Sequence, residues 1–91
     1  MSGDTLVYGS FAFKNNVTTE RQAKIVAEAN GVFEDEFEYR NGDYHISSIN
    51  WSSYVTKEKV DKFFKKFGKF FIEYGIDLYY LTEPDERWIK A

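Results

Sequence analysis

Apolar residues recur along this chain at two periods, and the change from one to the other outlines the elements. From Thr5 to Phe13 β-formers are dense, with Val7, Phe11 and Phe13 on one side of an extended chain and Leu6, Tyr8 and Ala12 on the other. That pattern predicts a strand covered on both faces. Lys14-Asn15-Asn16 reads as a polar turn. Thr19 and Gln22 then have the spacing of a capping box, in which each side chain satisfies an otherwise orphaned helical donor. A helix resting on Ala23, Ile25, Val26 and Ala27 is expected to run to Ala29 and to stop at Asn30-Gly31, where a left-handed residue costs least.

Between Phe33 and Tyr39 the period becomes two, with Phe33, Phe37 and Tyr39 at odd positions and Glu34, Glu36 and Glu38 at even ones. This predicts a strand with three glutamates along one face. Asn41-Gly42 is a two-residue hairpin signal, because both residues accept the positive φ of a type I′ turn. Such a turn sets Tyr39 opposite Tyr44, Phe37 opposite Ile46 and Glu38 opposite His45. Past Ser47-Ser48 the apolar positions shift to Ile49 and Trp51, which suggests a bulge or the end of regular pairing.

The strongest helical signal runs from Lys57 to Tyr74, capped by Thr56 and closed by Gly75, with Val60, Phe63, Phe64, Phe67, Phe70, Phe71 and Tyr74 on one wide stripe. A phenylalanine stripe at this spacing reads as core. Gly68 within it costs roughly 1 kcal/mol relative to alanine and suggests the close approach of another backbone. Ile76 to Leu81 forms a further strand with Ile76, Leu78 and Tyr80 on one side; Glu83-Pro84-Asp85 turns the chain, and Arg87-Trp88-Ile89 returns as an edge strand. The resulting class is α+β in one domain over residues 1–91: a ferredoxin-like β-α-β-β-α-β order, an antiparallel sheet, two helices on one face and an added C-terminal edge strand.

Composition adds a constraint on the surface. The 91 residues include nine Phe, seven Tyr and two Trp. A domain this small encloses only roughly 60 to 65% of its unfolded surface, while each aromatic can bury about 150 to 250 Å². Several rings are therefore expected outside. The formal net charge is −3, but it is unevenly spread. Residues 31–45 carry Glu34, Asp35, Glu36, Glu38 and Asp43 against Arg40, whereas residues 57–69 carry Lys57, Lys59, Lys62, Lys65, Lys66 and Lys69 against Glu58 and Asp61. The expected molecule is dipolar, acidic along its sheet and basic along its second helix.

Chemistry of the reactive kind has few carriers here. With no cysteine there is neither a disulfide framework nor a thiolate, and a structural zinc site loses its main ligand. The single imidazole, His45, lies beside the hairpin opposite Glu38, where an ion pair is the expected role. The acidic residues lack calcium-loop spacing, and the six glycines are scattered, so no phosphate-cradling loop is present. No catalytic set, metal or cofactor is expected. Met1 to Asp4 contain neither a basic nor an apolar leader region, and no run reaches the roughly 18 apolar residues of a span. A cytoplasmic protein with no membrane association is expected, and the sequons at Asn16 and Asn50 are chance matches.

Tyr8-Gly9-Ser10-Phe11-Ala12-Phe13 partly resembles the aromatic strand motif of RNA-recognition domains. It lacks the leading Arg or Lys and stands on the first strand, and the nearby glutamates repel phosphate. The expectation is a non-enzymatic interaction module that docks an acidic, aromatic surface on a basic protein or nucleoprotein complex. Its candidate contacts are Glu34, Glu36, Glu38, Trp51, Tyr54, Tyr79, Glu83, Asp85, Glu86 and Trp88. In size and charge the chain is similar to small inhibitors that occupy the nucleic-acid groove of a nuclease or defence complex, such as phage anti-CRISPR and immunity proteins. Three alternatives accompany it: a homodimer or larger self-assembly formed through surplus aromatics and an open sheet edge, nucleic-acid binding through the lysine-rich second helix, and a small enzyme or ligand-binding domain with a pocket between sheet and helices.

Overall fold

A computed structural model describes residues 4–51, 54–82 and 85–90. Its elements are β1 (Asp4–Phe13), α1 (Thr19–Phe33), β2 (Glu38–Arg40), β3 (Asp43–Trp51), α2 (Lys57–Phe67), β4 (Phe71–Thr82) and β5 (Arg87–Lys90), with a 3-10 turn at Gly68–Phe70 between α2 and β4. All pairings are antiparallel, in the order β2-β3-β1-β4-β5. The fold is the expected mixed α+β class with both helices on one side of the sheet. Its order is compatible with a ferredoxin-like arrangement and differs from the four-stranded form by β5, added outside β4. The Cα trace is 17 Å deep along its shortest axis, room for one helical layer on one sheet.

Odd-numbered residues of β1 carry the core. Thr5, Val7, Phe11 and Phe13 are buried, together with Ile46 of β3 and Leu78 of β4, beneath Ile25, Ala29 and Phe33 of α1 and Val60 and Phe63 of α2. Phe11 is the hub, its ring centroid 4.6 Å from Phe71, 4.9 Å from Phe37, 5.5 Å from Tyr44 and 6.4 Å from Phe63. Even residues of β1 face away from the helices, and Tyr8 is exposed. The strand is therefore covered on one face, not both.

Four boundaries differ from the sequence reading. Thr18, not Thr19, caps α1: its hydroxyl accepts from the Arg21 N–H at 3.2 Å, while the Gln22 amide donates to the Val17 carbonyl. The helix also runs through Gly31 to Phe33. A mid-helix glycine costs about 1 kcal/mol, less than the about 1.5–3 kcal/mol gained by fully burying a large apolar side chain such as Phe33. Glu34 becomes the left-handed C-cap with φ 55°, its N–H donating to the Asn30 carbonyl.

The second difference follows from the first. Residues 34–37 form a folded-back loop in which Asn30 Oδ1 accepts from the Phe37 N–H at 2.9 Å and Asp35 Oδ1 accepts from the Glu36 N–H at 2.7 Å. A three-glutamate strand does not form; only Glu38 belongs to β2. The Asn41-Gly42 turn has φ of 52° and 90° and sets Glu38 opposite His45 and Tyr39 opposite Tyr44, as its chemistry predicts.

Third, β3 continues without a bulge from Asp43 to Trp51, in unbroken register with β1 from Tyr44 onward. Ile49 is thereby left 62% exposed on the side away from the helices. Fourth, α2 ends at Phe67, and Phe71 to Tyr74 belong to a 12-residue β4. Strand pairing with Phe13, Ala12 and Phe11 wins over helical periodicity there. Gly68 closes the helix beneath the Tyr74 ring, with its nearest side-chain neighbour the Tyr74 hydroxyl, so no foreign backbone approaches it.

Candidate protein-docking face

Strand alternation turns one set of side chains away from both helices. Register aligns Leu6 with Ile49 and Tyr79, and Tyr8 with Ser47 and Asp77, while Leu81 meets Trp88 and Tyr79 meets Lys90 across the β4–β5 pair. Leu6, Tyr8, Ile49, Tyr79, Leu81 and Trp88 thus share one end of the uncovered sheet face. Tyr8 and Tyr79 stack with centroids 5.6 Å apart and planes within 2°. Their hydroxyl oxygens lie 3.4 Å apart in a long hydrogen bond in which either can donate. That bond, the Tyr79 phenol itself and the Asp77 carboxylate all resist charge on Tyr8, which holds its phenol above the usual range.

The same face is acidic. By register it carries Asp4, Glu38, Asp43, Glu73 and Asp77 against Arg40 and Lys90. Asp77 pairs with Lys90 at 3.2 Å and Glu38 with Arg40 Nε at 3.9 Å. His45 Nε2 sits 4.0 Å from Asp43 Oδ2. The imidazole's carboxylate neighbour is thus Asp43, two residues along its own strand, and not the expected Glu38, which turns to Arg40. The lysines of α2 occupy the opposite layer, where Lys57 pairs with Asp61 and Lys66 with Glu28. Basic and acidic surfaces therefore lie on opposite sides of the sheet.

The ten predicted contacts divide. Glu38, Tyr79 and Trp88 are on the uncovered face, and Asp85 and Glu86 are exposed in the β4–β5 connection at its aromatic end. Glu34 and Glu36 sit in the α1–β2 loop, away from the predicted glutamate row. Tyr54 is exposed in the connection before α2, its carbonyl accepting from Lys59 Nζ at 3.1 Å. Trp51 ends β3 opposite Asp4, with its side chain outside the described residues, and Glu83 lies outside them altogether. Leu6, Tyr8, Ile49, Glu73, Asp77 and Leu81 were not among the predicted contacts. The signal for Leu6 and Tyr8 was the small residues that follow them at even positions, Ser10 and Ala12, which mark a face with nothing packed on it.

The RNA-recognition resemblance does not carry to the surface. Phe11 and Phe13 point into the core, leaving Tyr8 as the motif's single aromatic on the open face. Among the described residues no three His, Asp or Glu side chains are grouped to hold a metal ion, and no helix is long and apolar enough to cross a membrane. No known protein family, curated protein or solved structure matches this chain.

Proposed function

We propose that this chain is a non-enzymatic protein-binding module that lays its uncovered sheet face on a basic surface of another protein. The observation that carries the reading is the convergence of Leu6, Tyr8, Ile49, Tyr79, Leu81 and Trp88 on a face with an acidic border and no packed layer. Rigid aromatic and branched side chains supply area at low entropic cost, while the surrounding carboxylates steer and orient. A cationic surface of that size is what nucleic acids occupy on nucleases and defence complexes, so the partner class is a nucleic-acid-handling protein and the expected effect is competitive inhibition. Segregation of the lysines to the far layer favours this orientation, because they do not oppose approach of a basic partner.

The test uses the immobilised protein to capture partners from its host at low and moderate salt, beside Tyr79→Ala, Asp77→Lys and the helix-layer variant Lys62→Glu. A stoichiometric basic partner is expected that elutes as salt rises, is lost in both face variants, is retained by Lys62→Glu and is displaced by nucleic acid. Capture that survives both face substitutions, or that only Lys62→Glu removes, refutes the reading.

A further inference from the structure

We propose that the outer edge of β4 accepts an extended segment of another protein as an added strand, one that alternates apolar and basic residues. This edge borders the sheet face above and shares Glu73 and Asp77 with it. β4 runs from Phe71 to Thr82, yet β5 pairs only with Tyr79 to Thr82. Residues 71–78 therefore have no strand partner on their outer side among the described residues. Ile72 is 63% exposed and Tyr74 50%. Alternate N–H and C=O groups of such an edge point into solvent and template pairing.

A groove of about 460 Å³ follows this edge beneath α2, walled by Val60, Phe64, Tyr74 and Ile76, with Asp61 and Lys65 on its rim. A smaller hollow of about 90 Å³ lies farther along the edge, beside Leu78 and Lys90. A guest strand beside β4 turns every second side chain into that groove, where apolar groups fit against Val60, Phe64, Tyr74 and Ile76. Its remaining side chains point to the other face, opposite Glu73 and Asp77 with only Gly75 between them. Glu73 has no ion pair among the described residues, so a basic residue there gains a cross-strand partner. Backbone pairing supplies affinity and the alternation supplies selectivity.

A second copy fits this edge less well. Two-fold antiparallel pairing centred on Gly75 sets Glu73 opposite Asp77 twice.

The probe is an acetylated, amidated octapeptide alternating Val and Lys, titrated into the isotope-labelled full chain while backbone amide shifts are followed. Saturable shifts are expected in residues 71–78. They are expected to vanish when alternate peptide amides are N-methylated and to require about five- to tenfold more peptide in Glu73→Lys. Four outcomes overturn the proposal: no shift at millimolar peptide, equal shifts from a peptide with its valines and lysines in separate blocks, shifts confined to Tyr8, Tyr79 and Trp88, or concentration-dependent shifts in β4 without peptide. The third outcome leaves the sheet-face reading standing, and the fourth assigns the edge to a second copy.

Discussion

Replacing Gly9 with alanine tests the β1–β4 packing most severely. Gly9 has φ +152° and sits mid-strand opposite Ile76 and Ile46. An added Cβ runs into the Gly75 carbonyl oxygen and lies 2.8 Å from Ile76 Cα and 2.9 Å from the Gly75 carbonyl carbon. These are backbone atoms in a ladder, so relief requires the two central strands to separate. A side chain forced into a sparsely populated φ costs about 1–3 kcal/mol, and overpacking a further about 1–3 kcal/mol, giving about 2–6 kcal/mol together. A domain of this length is stable by about 5–14 kcal/mol at the usual 0.05–0.15 kcal/mol per residue. Urea unfolding followed by circular dichroism, with a slope of about 1.5 kcal/mol per molar, should show the midpoint falling by about 1.3–4 M. Gly75→Ala is the control: nothing lies within 4 Å of its added Cβ, and its midpoint should move by less than about 0.3 M. A Gly9→Ala midpoint as close to the parent as that of Gly75→Ala would refute the strand packing described.

Three further predictions follow from single contacts. Thr18→Ala should cost about 1 kcal/mol in the same unfolding assay while Thr19→Ala costs little, since the Thr18 hydroxyl holds the cap; the reverse order would contradict the helix start. The Ser48 hydroxyl is buried without a hydrogen-bond partner among the described residues, so Ser48→Ala should be neutral or stabilising by up to about 1 kcal/mol, and a loss of stability would reveal a partner. Tyr79→Phe should lower the Tyr8 phenol titration toward its ordinary range, followed by the ring-carbon resonance of Tyr8. The sign is that of an acid whose folded value is raised: the contribution to stability is present below the ordinary phenol range and fades as pH rises through the raised value, so the parent should lose more stability than Tyr79→Phe in that alkaline window.

Much of the architecture was legible because local signals agreed with global needs. Asn41-Gly42 fixed the hairpin register, and the capping threonine before Lys57 marked the start of α2. Legibility failed where tertiary burial outweighed local preference. The Phe33 side chain pulled α1 through the Asn30-Gly31 stop and dissolved the apparent glutamate strand. Phe70, Phe71 and Tyr74 continue the helical stripe in spacing, yet Phe71 reaches the core from a strand that pairs with β1. The uncovered face was half legible for the same reason. Tyr79 and Trp88 could be placed from their own strands, whereas Leu6 and Ile49 join them only once β1 is known to lie between β3 and β4.

The uncovered sheet face is tested most directly by photo-crosslinking in the host. A benzoylphenylalanine at Ile49, on the sheet face, is compared with one at Lys62, on the helical layer. The account predicts a single strong adduct to a basic protein from position 49 and none to that protein from position 62. An adduct to that protein from position 62 alone, or equal yields from both positions, would contradict it.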